Sequence, residues 1–296
     1  IIIGLGDNEN YISSDVNALV PHTKQVVYLE DHHIAEVSKQ GVRLINASGK
    51  ECPVSVSTVN WGTEQAEKNG FEHFMQKEIY EQPDVVSNII NTYIKGTDIV
   101  FPKVRFSQDS LKDVSRFIIQ ACGTSWHAGL VAKYLLEDIA RIPTEVDISS
   151  EFRYRRLLNN SNEIVVAISQ SGETADTLAC IREAKSKFFN ILSFVNVEGS
   201  TIDRESDGVI YTNSGPEIGV ASTKNYIAQI LTIYLFALYL GRLKGTITEV
   251  QYLVHLESIK TLPILIQNVL NQEVVIQSMV DRYFKSKSFL FIGRGL

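Results

Sequence analysis

From residue 116 onward, short uninterrupted hydrophobic runs alternate with segments whose hydrophobic positions recur at helical spacing. The runs are FIIQA (117–121), TEVDIS (144–149), EIVVAIS (163–169), NILSFVNV (190–197) and GVIYTN (208–213). Strands that alternate with helices predict a parallel sheet with helices on both faces. Uninterrupted hydrophobic strands fit burial on both sides. We therefore predict an α/β fold for this part.

The polar segments between the runs contain the predicted helices. We expect helices over 125–140, around Glu151, over 173–187, in a short turn at 199–206, from Ser222, and twice more between Gly245 and about Tyr283. The segment Tyr226–Leu243 is nearly long enough to span a bilayer. Gln229, Thr232 and three tyrosines interrupt it, so we interpret it as a helix buried between other elements, with no role in a membrane.

The first 69 residues differ in pattern, because β-branched residues lie in KQVVYLED and GVRLINASGKECPVSVSTVNW, with a turn at 47–50. This predicts antiparallel β structure. Residues 70–115 differ again. Phe71, Phe74, Met75 and Ile79 have helical spacing, and Pro83 predicts the end of that helix. The following NTYIKGTDIVFPKVRF is irregular, and we interpret 70–115 as a linker arm.

Both ends of the chain resemble interrupted elements. The chain opens with IIIGLG and ends with SFLFIGRGL, a hydrophobic run followed by a glycine turn. The same arrangement opens RFIIQACGTSWHAGL at 116–130, where a helix follows. We therefore interpret 285–296 as the first strand of a second copy of the unit that spans 116–284, in a chain truncated at both ends.

Composition narrows the class of function. Hydrophobic residues make up 44% and charged residues 21%, and the net charge of -6 leaves no basic surface for nucleic acid. The basic run RYRR (153–156) is too short to change this. Three cysteines without C-x-x-C spacing, and adjacent His32 and His33, do not indicate a disulfide framework or a metal site. They fit a reducing, cytoplasmic location.

Three loops rich in small polar residues precede predicted helices. They are CGTS (122–125), SQSGET (169–174) and GVAST (219–223). In a parallel α/β sheet, ligands bind beyond the carboxyl ends of the strands. Free backbone N–H groups at helix starts, with hydroxyl donors and glycine, form a phosphate site that needs no lysine. Serine and threonine are also ordinary helix caps. One such loop alone would be interpreted as an ordinary cap. Because three of them occur, we predict instead that they bind a ligand, and that this ligand is a phosphorylated small molecule.

Other motifs fail in detail. GPEIGVASTK has the glycines and lysine of a P-loop in the wrong order, and GLGDNE has Glu9 where a dinucleotide fingerprint needs its third glycine. No G-x-S-x-G elbow is present, so neither Ser169 nor Ser171 is predicted to be a nucleophile. Cys122 follows a strand without an evident base nearby, and we interpret it as a packing or contact residue.

Several long motifs in order resemble the glutamine–fructose-6-phosphate aminotransferase (isomerizing) family, also called glucosamine-6-phosphate synthases. They are GLGDNENYISSD, HFMQKEIYEQP, ACGTSWHAG, SQSGETADTL and RESDGVIYTNSGPEIGVASTK. The resemblance implies that 1–69 are the C-terminal, β-rich remnant of an N-terminal-nucleophile glutaminase domain. It implies that 116–284 are a first SIS (sugar isomerase) domain and 285–296 the first strand of a second.

The resemblance also implies a substrate and a site. Glutamine supplies ammonia, and fructose 6-phosphate becomes glucosamine 6-phosphate, with no cofactor or metal. It implies that the phosphate is held by Ser125, Ser169, Gln170, Ser171 and Thr174. Thr124, Val220, Ala221 and Ser222 would line the sugar. The glutaminase cysteine and the proton-transfer residues of the family have no counterpart in this chain, so we expect the chain alone to be inactive. His127 is given no catalytic role.

Two other functions stay open. A SIS domain also serves as a phosphosugar-sensing module without catalysis, and the β-rich start and the HFMQKEIYEQP segment argue against this. An oligomerisation scaffold is the third hypothesis, and failure of fructose 6-phosphate to stabilise the folded chain would favour it. The family resemblance implies a homo-oligomer.

Overall fold

The computed structural model of the chain describes residues 1–14, 16–59, 68–156 and 162–295. The residues divide into two compact units. The first unit is Ile1–Lys77 with Ile218–Val220, and the second is Glu78–Glu217 with Ala221–Leu296. The division after residue 77 differs from the predicted limits at 69 and 115.

The first unit is built from short antiparallel strands, as its sequence pattern predicts. They are β1 (Ile2–Leu5), β2 (Asn10–Ser13), β3 (Gln25–Tyr28), β4 (Ile34–Ser38), β5 (Gly41–Ile45), β6 (Glu51–Cys52) and β7 (Ser57–Thr58). They form one sheet of order β2-β1-β3-β7 and another of order β4-β5-β6. Asn46 stabilises the predicted turn before β6, because its side chain accepts the N–H groups of Ser48 and Lys50. Residues 60–67, where the predicted β stretch ends, lie outside the described residues.

The predicted linker arm contains the helix expected from Phe71, Phe74, Met75 and Ile79, and further regular structure that the sequence pattern did not predict. Its elements are α1 (Phe74–Tyr80), α2 (Gln82–Tyr93), β8 (Ile94–Lys95), β9 (Asp98–Ile99) and α3 (Gln108–Lys112). Pro83 lies in the first turn of α2, where its missing N–H costs nothing and its fixed φ suits a helix. The proline therefore starts a helix. Val86, Ile89 and Tyr93 of α2 lie in the core of the second unit.

The second unit contains the predicted parallel sheet. Its strands are β10 (Arg116–Ala121), β11 (Thr144–Ile148), β12 (Glu163–Ser169), β13 (Asn190–Val195) and β14 (Gly208–Tyr211). Their order is β11-β10-β12-β13-β14, and all neighbours are parallel. The helices are α4 (Gly123–Ile139), α5 (Ser149–Phe152), α6 (Ala175–Ser186), α7 (Thr201–Glu205), α8 (Lys224–Lys244), α9 (Glu249–Leu270) and α10 (Glu273–Tyr283).

Side chains alternate between two hydrophobic cores, one on each face of this sheet. On β12, Val166 and Ile168 lie in the larger core with α2, α4, α8 and α9, whereas Val165 and Ala167 lie in the smaller core with α5, α6 and α7. Burial on both faces explains the hydrophobic run of β12, all of whose residues are buried.

Helix α8 is the one helix among the described residues that is long and apolar enough to cross a membrane. Of the apolar stretch of this helix, 61% is buried inside the protein. Leu231, Leu235 and Phe236 of this helix lie in the larger core. The ring of Phe236 makes an edge-to-face contact with the ring of Phe194 in the sheet, with 5.8 Å between the ring centroids. The prediction of a helix buried between other elements is confirmed.

The predicted strand in 285–296 is not formed, so that assignment was wrong as secondary structure. Residues 287–295 have no regular structure, and Phe289, Leu290, Phe291 and Ile292 are exposed. A strand is defined by hydrogen bonds to a neighbouring strand. Within the described residues no strand pairs with this segment, so its hydrophobic pattern alone does not produce one.

Candidate functional site

The second unit has a topological switch point between β10 and β12. The chain passes from β10 outward to β11, then crosses back to β12 on the other side of β10. The segments after these two adjacent strands therefore run in opposite directions and leave a crevice at the carboxyl edge of the sheet. The segment after β10 starts α4, and the segment after β12 leads to α6. Both carry predicted site residues.

The loop Ser169–Thr174 is held together by its own hydroxyl groups. The hydroxyl of Ser169 accepts the backbone N–H of Gly172 at 3.1 Å, and it lies 3.1 Å from the hydroxyl of Thr174. The hydroxyl of Ser171 accepts the N–H of Glu173 at 3.2 Å. Gln170 is half-buried. The predicted residues of this loop are thus brought together in one turn.

Close contact with the start of α7 fixes the same loop. The carbonyl of Gly172 accepts the N–H of Ile202 at 3.0 Å, and the carboxylate of Glu173 accepts the N–H of Thr201 at 2.7 Å. Gly172 has φ +68, and a Cβ there would lie 2.0 Å from the hydroxyl oxygen of Ser200. Both conformation and space therefore require glycine at this position.

The cap residues of the two helices that start at the crevice make no side-chain cap bond, which is also true of α2, α5, α8 and α10. Ser107, Ser200 and Thr248 accept backbone N–H groups at the starts of α3, α7 and α9, as ordinary caps do. Cys122 and Thr174, the N-cap residues of α4 and α6, make no such side-chain bond. The starts of α4 and α6 thus keep backbone donors that their own cap residues do not satisfy.

Ser125 lies in the first turn of α4 and is buried, whereas Thr124 beside it is exposed. The hydroxyl oxygen of Ser125 accepts a hydrogen bond of 2.9 Å from the side-chain nitrogen of Gln229 on α8. This bond joins two helices on the same face of the sheet. Thr124 contributes no hydrogen bond within the described residues.

The third predicted loop is held by one carboxylate. Glu217 accepts the hydroxyl of Ser222 at 2.9 Å, the N–H of Thr223 at 2.8 Å and the N–H of Asn225 at 3.2 Å. It therefore takes the place of a cap residue at the start of α8, where a negative charge is favourable. Among the predicted sugar-lining residues, Ser222 is half-buried, and Val220 and Ala221 are exposed.

Known proteins are similar to this chain in sequence and in fold. The SIS domain family model matches residues 110–239. A glutamine–fructose-6-phosphate aminotransferase [isomerizing] from Caldanaerobacter subterraneus is 42% identical over 100% of this chain and 49% of its own length. The enzyme of the same name from Clostridium tetani is 41% identical with the same coverage. The chain belongs to the glutamine–fructose-6-phosphate aminotransferase family. It spans about half the length of the curated relatives it matches.

Solved structures agree with this assignment. The C-terminal domain of glucosamine-fructose-6-phosphate aminotransferase from Francisella tularensis has a TM-score of 0.71 and 37% identity, and it covers 75% of this chain and 62% of its own. A putative phosphosugar isomerase from Clostridium difficile has a TM-score of 0.57 and 25% identity, covering 70% of this chain and 56% of its own. The aminotransferase-family chain therefore contains a SIS domain with a parallel α/β sheet.

Sequence reasoning missed Asn196, which follows β13 in this aminotransferase-family chain. Its backbone N–H donates to the carbonyl of Gln170 at 3.2 Å, and its side chain bonds Ser214 and Gly215 at 2.9 and 2.8 Å. One residue thus connects the segments that follow β12 and β14. Its position directly after a strand, at the carboxyl edge, is a signal that could have pointed to it.

The nearby cysteine and histidine side chains of this aminotransferase-family chain give no sign of acid–base or metal chemistry. Burial raises the pKa of the Cys180 thiol to about 12, so it is no thiolate at neutral pH. Cys122 is half-buried, and His127 is exposed, with its Nδ1 3.1 Å from the carbonyl of Gly123. In the described part of the chain, no group of three potential metal ligands is found.

Proposed function

We propose that this chain is the sugar-phosphate-binding part of a glutamine–fructose-6-phosphate aminotransferase. The longer protein would make glucosamine 6-phosphate from fructose 6-phosphate and glutamine. The observation that carries the proposal is the similarity to enzymes of that name over the whole chain, at 42% identity in the Caldanaerobacter protein. Since this chain spans about half of such proteins, the complete reaction belongs to the longer protein.

The phosphate would be held in the crevice at the switch point. The proposed groups are the side chains of Ser125, Ser169, Gln170, Ser171 and Thr174. The uncapped start of α6 supports this, because its free N–H groups and the positive end of the helix dipole favour an anion. The Glu173 carboxylate already accepts the N–H of Thr201, which compensates part of its negative charge beside a phosphate.

The sugar would be lined by Thr124, Val220, Ala221 and Ser222. None of the nine proposed side chains titrates near neutral pH. Such a set can bind and orient an open or cyclic sugar, but it supplies neither general acid nor general base. We therefore propose that this chain positions the phosphosugar and that proton transfer depends on groups of the longer protein.

Further assignments rest on the same family membership. We propose that residues 1–69 are part of a glutaminase domain, which fits their antiparallel sheets. We propose a first SIS domain over 116–284 and the start of a second at 285–296. The protein would be a cytoplasmic homo-oligomer, and its three cysteines are free of disulfides.

A comparison of fructose 6-phosphate with fructose tests the proposal. At about 100 times its Kd, the phosphosugar should raise the melting temperature of the second unit by roughly 5 °C, because it binds only the folded state. Fructose at equal concentration should leave the melting temperature unchanged, since the proposed site holds the phosphate. Calorimetry measures both. No shift with fructose 6-phosphate, or equal shifts with both sugars, contradicts the proposed function.

A further inference from the structure

Gln229 is a buried polar residue that packing does not explain. It lies on α8 with 0% of its surface exposed, among buried hydrophobic neighbours such as Ala228 and Leu231. Its side-chain oxygen is buried without a hydrogen-bond partner among the described residues. An unsatisfied buried acceptor is costly, and such groups in a folded protein require an explanation.

The nitrogen of the same amide, in contrast, has a partner. The Gln229 nitrogen donates to the hydroxyl oxygen of Ser125 at 2.9 Å. A serine hydroxyl has one hydrogen and two acceptor positions. Because Gln229 fills an acceptor position, the Ser125 hydrogen is left for another partner. No acceptor for that hydrogen is found in the part of the chain that the structure describes.

We propose that Gln229 is a positioning residue that fixes Ser125 as a hydrogen-bond donor to the phosphate of the sugar. This rests on the proposed function of the crevice. A hydroxyl that accepts one hydrogen bond becomes a stronger donor in the next, and the effect grows where water is excluded. An apolar side chain of the same length would leave the Ser125 hydroxyl without the hydrogen bond that fixes its orientation.

A double-mutant cycle in the 296-residue chain tests this role. Gln229→Met keeps the volume and removes the amide. We expect Gln229→Met to weaken the binding of fructose 6-phosphate about three- to tenfold, as measured by calorimetric titration. In the Ser125→Ala background the same substitution should change the affinity less than about twofold, because the hydroxyl it acts through is gone.

Two results overturn the inference. The first is that Gln229→Met binds fructose 6-phosphate with the same affinity as wild type. The second is that Gln229→Met lowers the affinity equally in the wild-type and Ser125→Ala backgrounds, because a purely structural role predicts equal losses. Circular dichroism checks folding. If Gln229→Met does not fold, Gln229→Asn retains the amide but shortens it by one methylene, and unchanged affinity there overturns the inference too. Failure of the wild-type chain to bind fructose 6-phosphate would instead refute the proposed function.

Discussion

Gly172→Ala is expected to destabilise the second unit by about 2–4 kcal/mol. The residue has φ +68, where a side chain costs about 1 kcal/mol. The new Cβ would also lie 2.0 Å from the hydroxyl oxygen and 2.5 Å from the Cβ of Ser200. Ser200 is buried and caps α7, so it cannot yield without losing that cap. Overpacking of this kind adds about 1–3 kcal/mol.

Gly96→Ala is the matched control for this substitution. Gly96 has φ +66, and a Cβ there would meet nothing within 4 Å. It should therefore cost only the conformational term of about 1 kcal/mol. Urea unfolding of both variants measures the difference. Equal costs at the two positions would contradict the close approach between the Ser169–Thr174 loop and α7.

Glu81→Ala is expected to destabilise the second unit by about 2–4 kcal/mol. The Lys224 ammonium lies 2.6 Å from the Glu81 carboxylate, and the lysine side chain is only 5% exposed. Removing the carboxylate leaves a buried cation at the start of α8, where the helix dipole disfavours positive charge. The estimate is below that for a fully buried pair, because Glu81 is 29% exposed and water can partly replace it.

An exposed ion pair provides the control. Lys260 and Glu257 of α9 lie 2.7 Å apart, with 40% and 71% of their side chains exposed. Glu257→Ala should cost less than about 1 kcal/mol, because water screens this pair and replaces its contacts. The free energies of unfolding of both variants are compared with wild type in guanidinium chloride. A Glu81→Ala cost as small as that of Glu257→Ala would show that Lys224 is hydrated.

The parallel sheet could be predicted because burial on both faces leaves a strong local signal. β10, β12, β13 and β14 appear as hydrophobic runs, whereas β11, at the edge of the sheet, contains Glu145 and Asp147 and has a weaker signal. Pro83 shows where a local signal is ambiguous. Pro83 follows the end of α1 at Tyr80, as predicted, and it also lies in the first turn of α2. That second helix depends on the packing of Val86 and Ile89 into the core.

In the candidate site, too, contacts between residues close in sequence could be predicted, and contacts between distant residues could not. The hydroxyls of Ser169, Ser171 and Thr174 are close in sequence, so their clustering could be predicted. Gln229 bonds a residue 104 positions away, and this contact depends on how α4 and α8 pack on one face of the sheet. Asn196 likewise acts by connecting two loops. Such partners have no local spacing that a sequence pattern could reveal.

Titration of fructose 6-phosphate into wild type and Ser171→Ala tests the central claim most directly. Ser171 is the better choice than Ser169, whose hydroxyl bonds both Gly172 and Thr174 within the loop. Ser186→Ala is the control, because its hydroxyl bonds the Glu183 carbonyl at the far end of α6. Loss of a hydrogen bond to the phosphate should weaken binding by Ser171→Ala about ten- to a hundredfold, with Ser186→Ala unchanged. Equal affinities of wild type and Ser171→Ala would contradict the account.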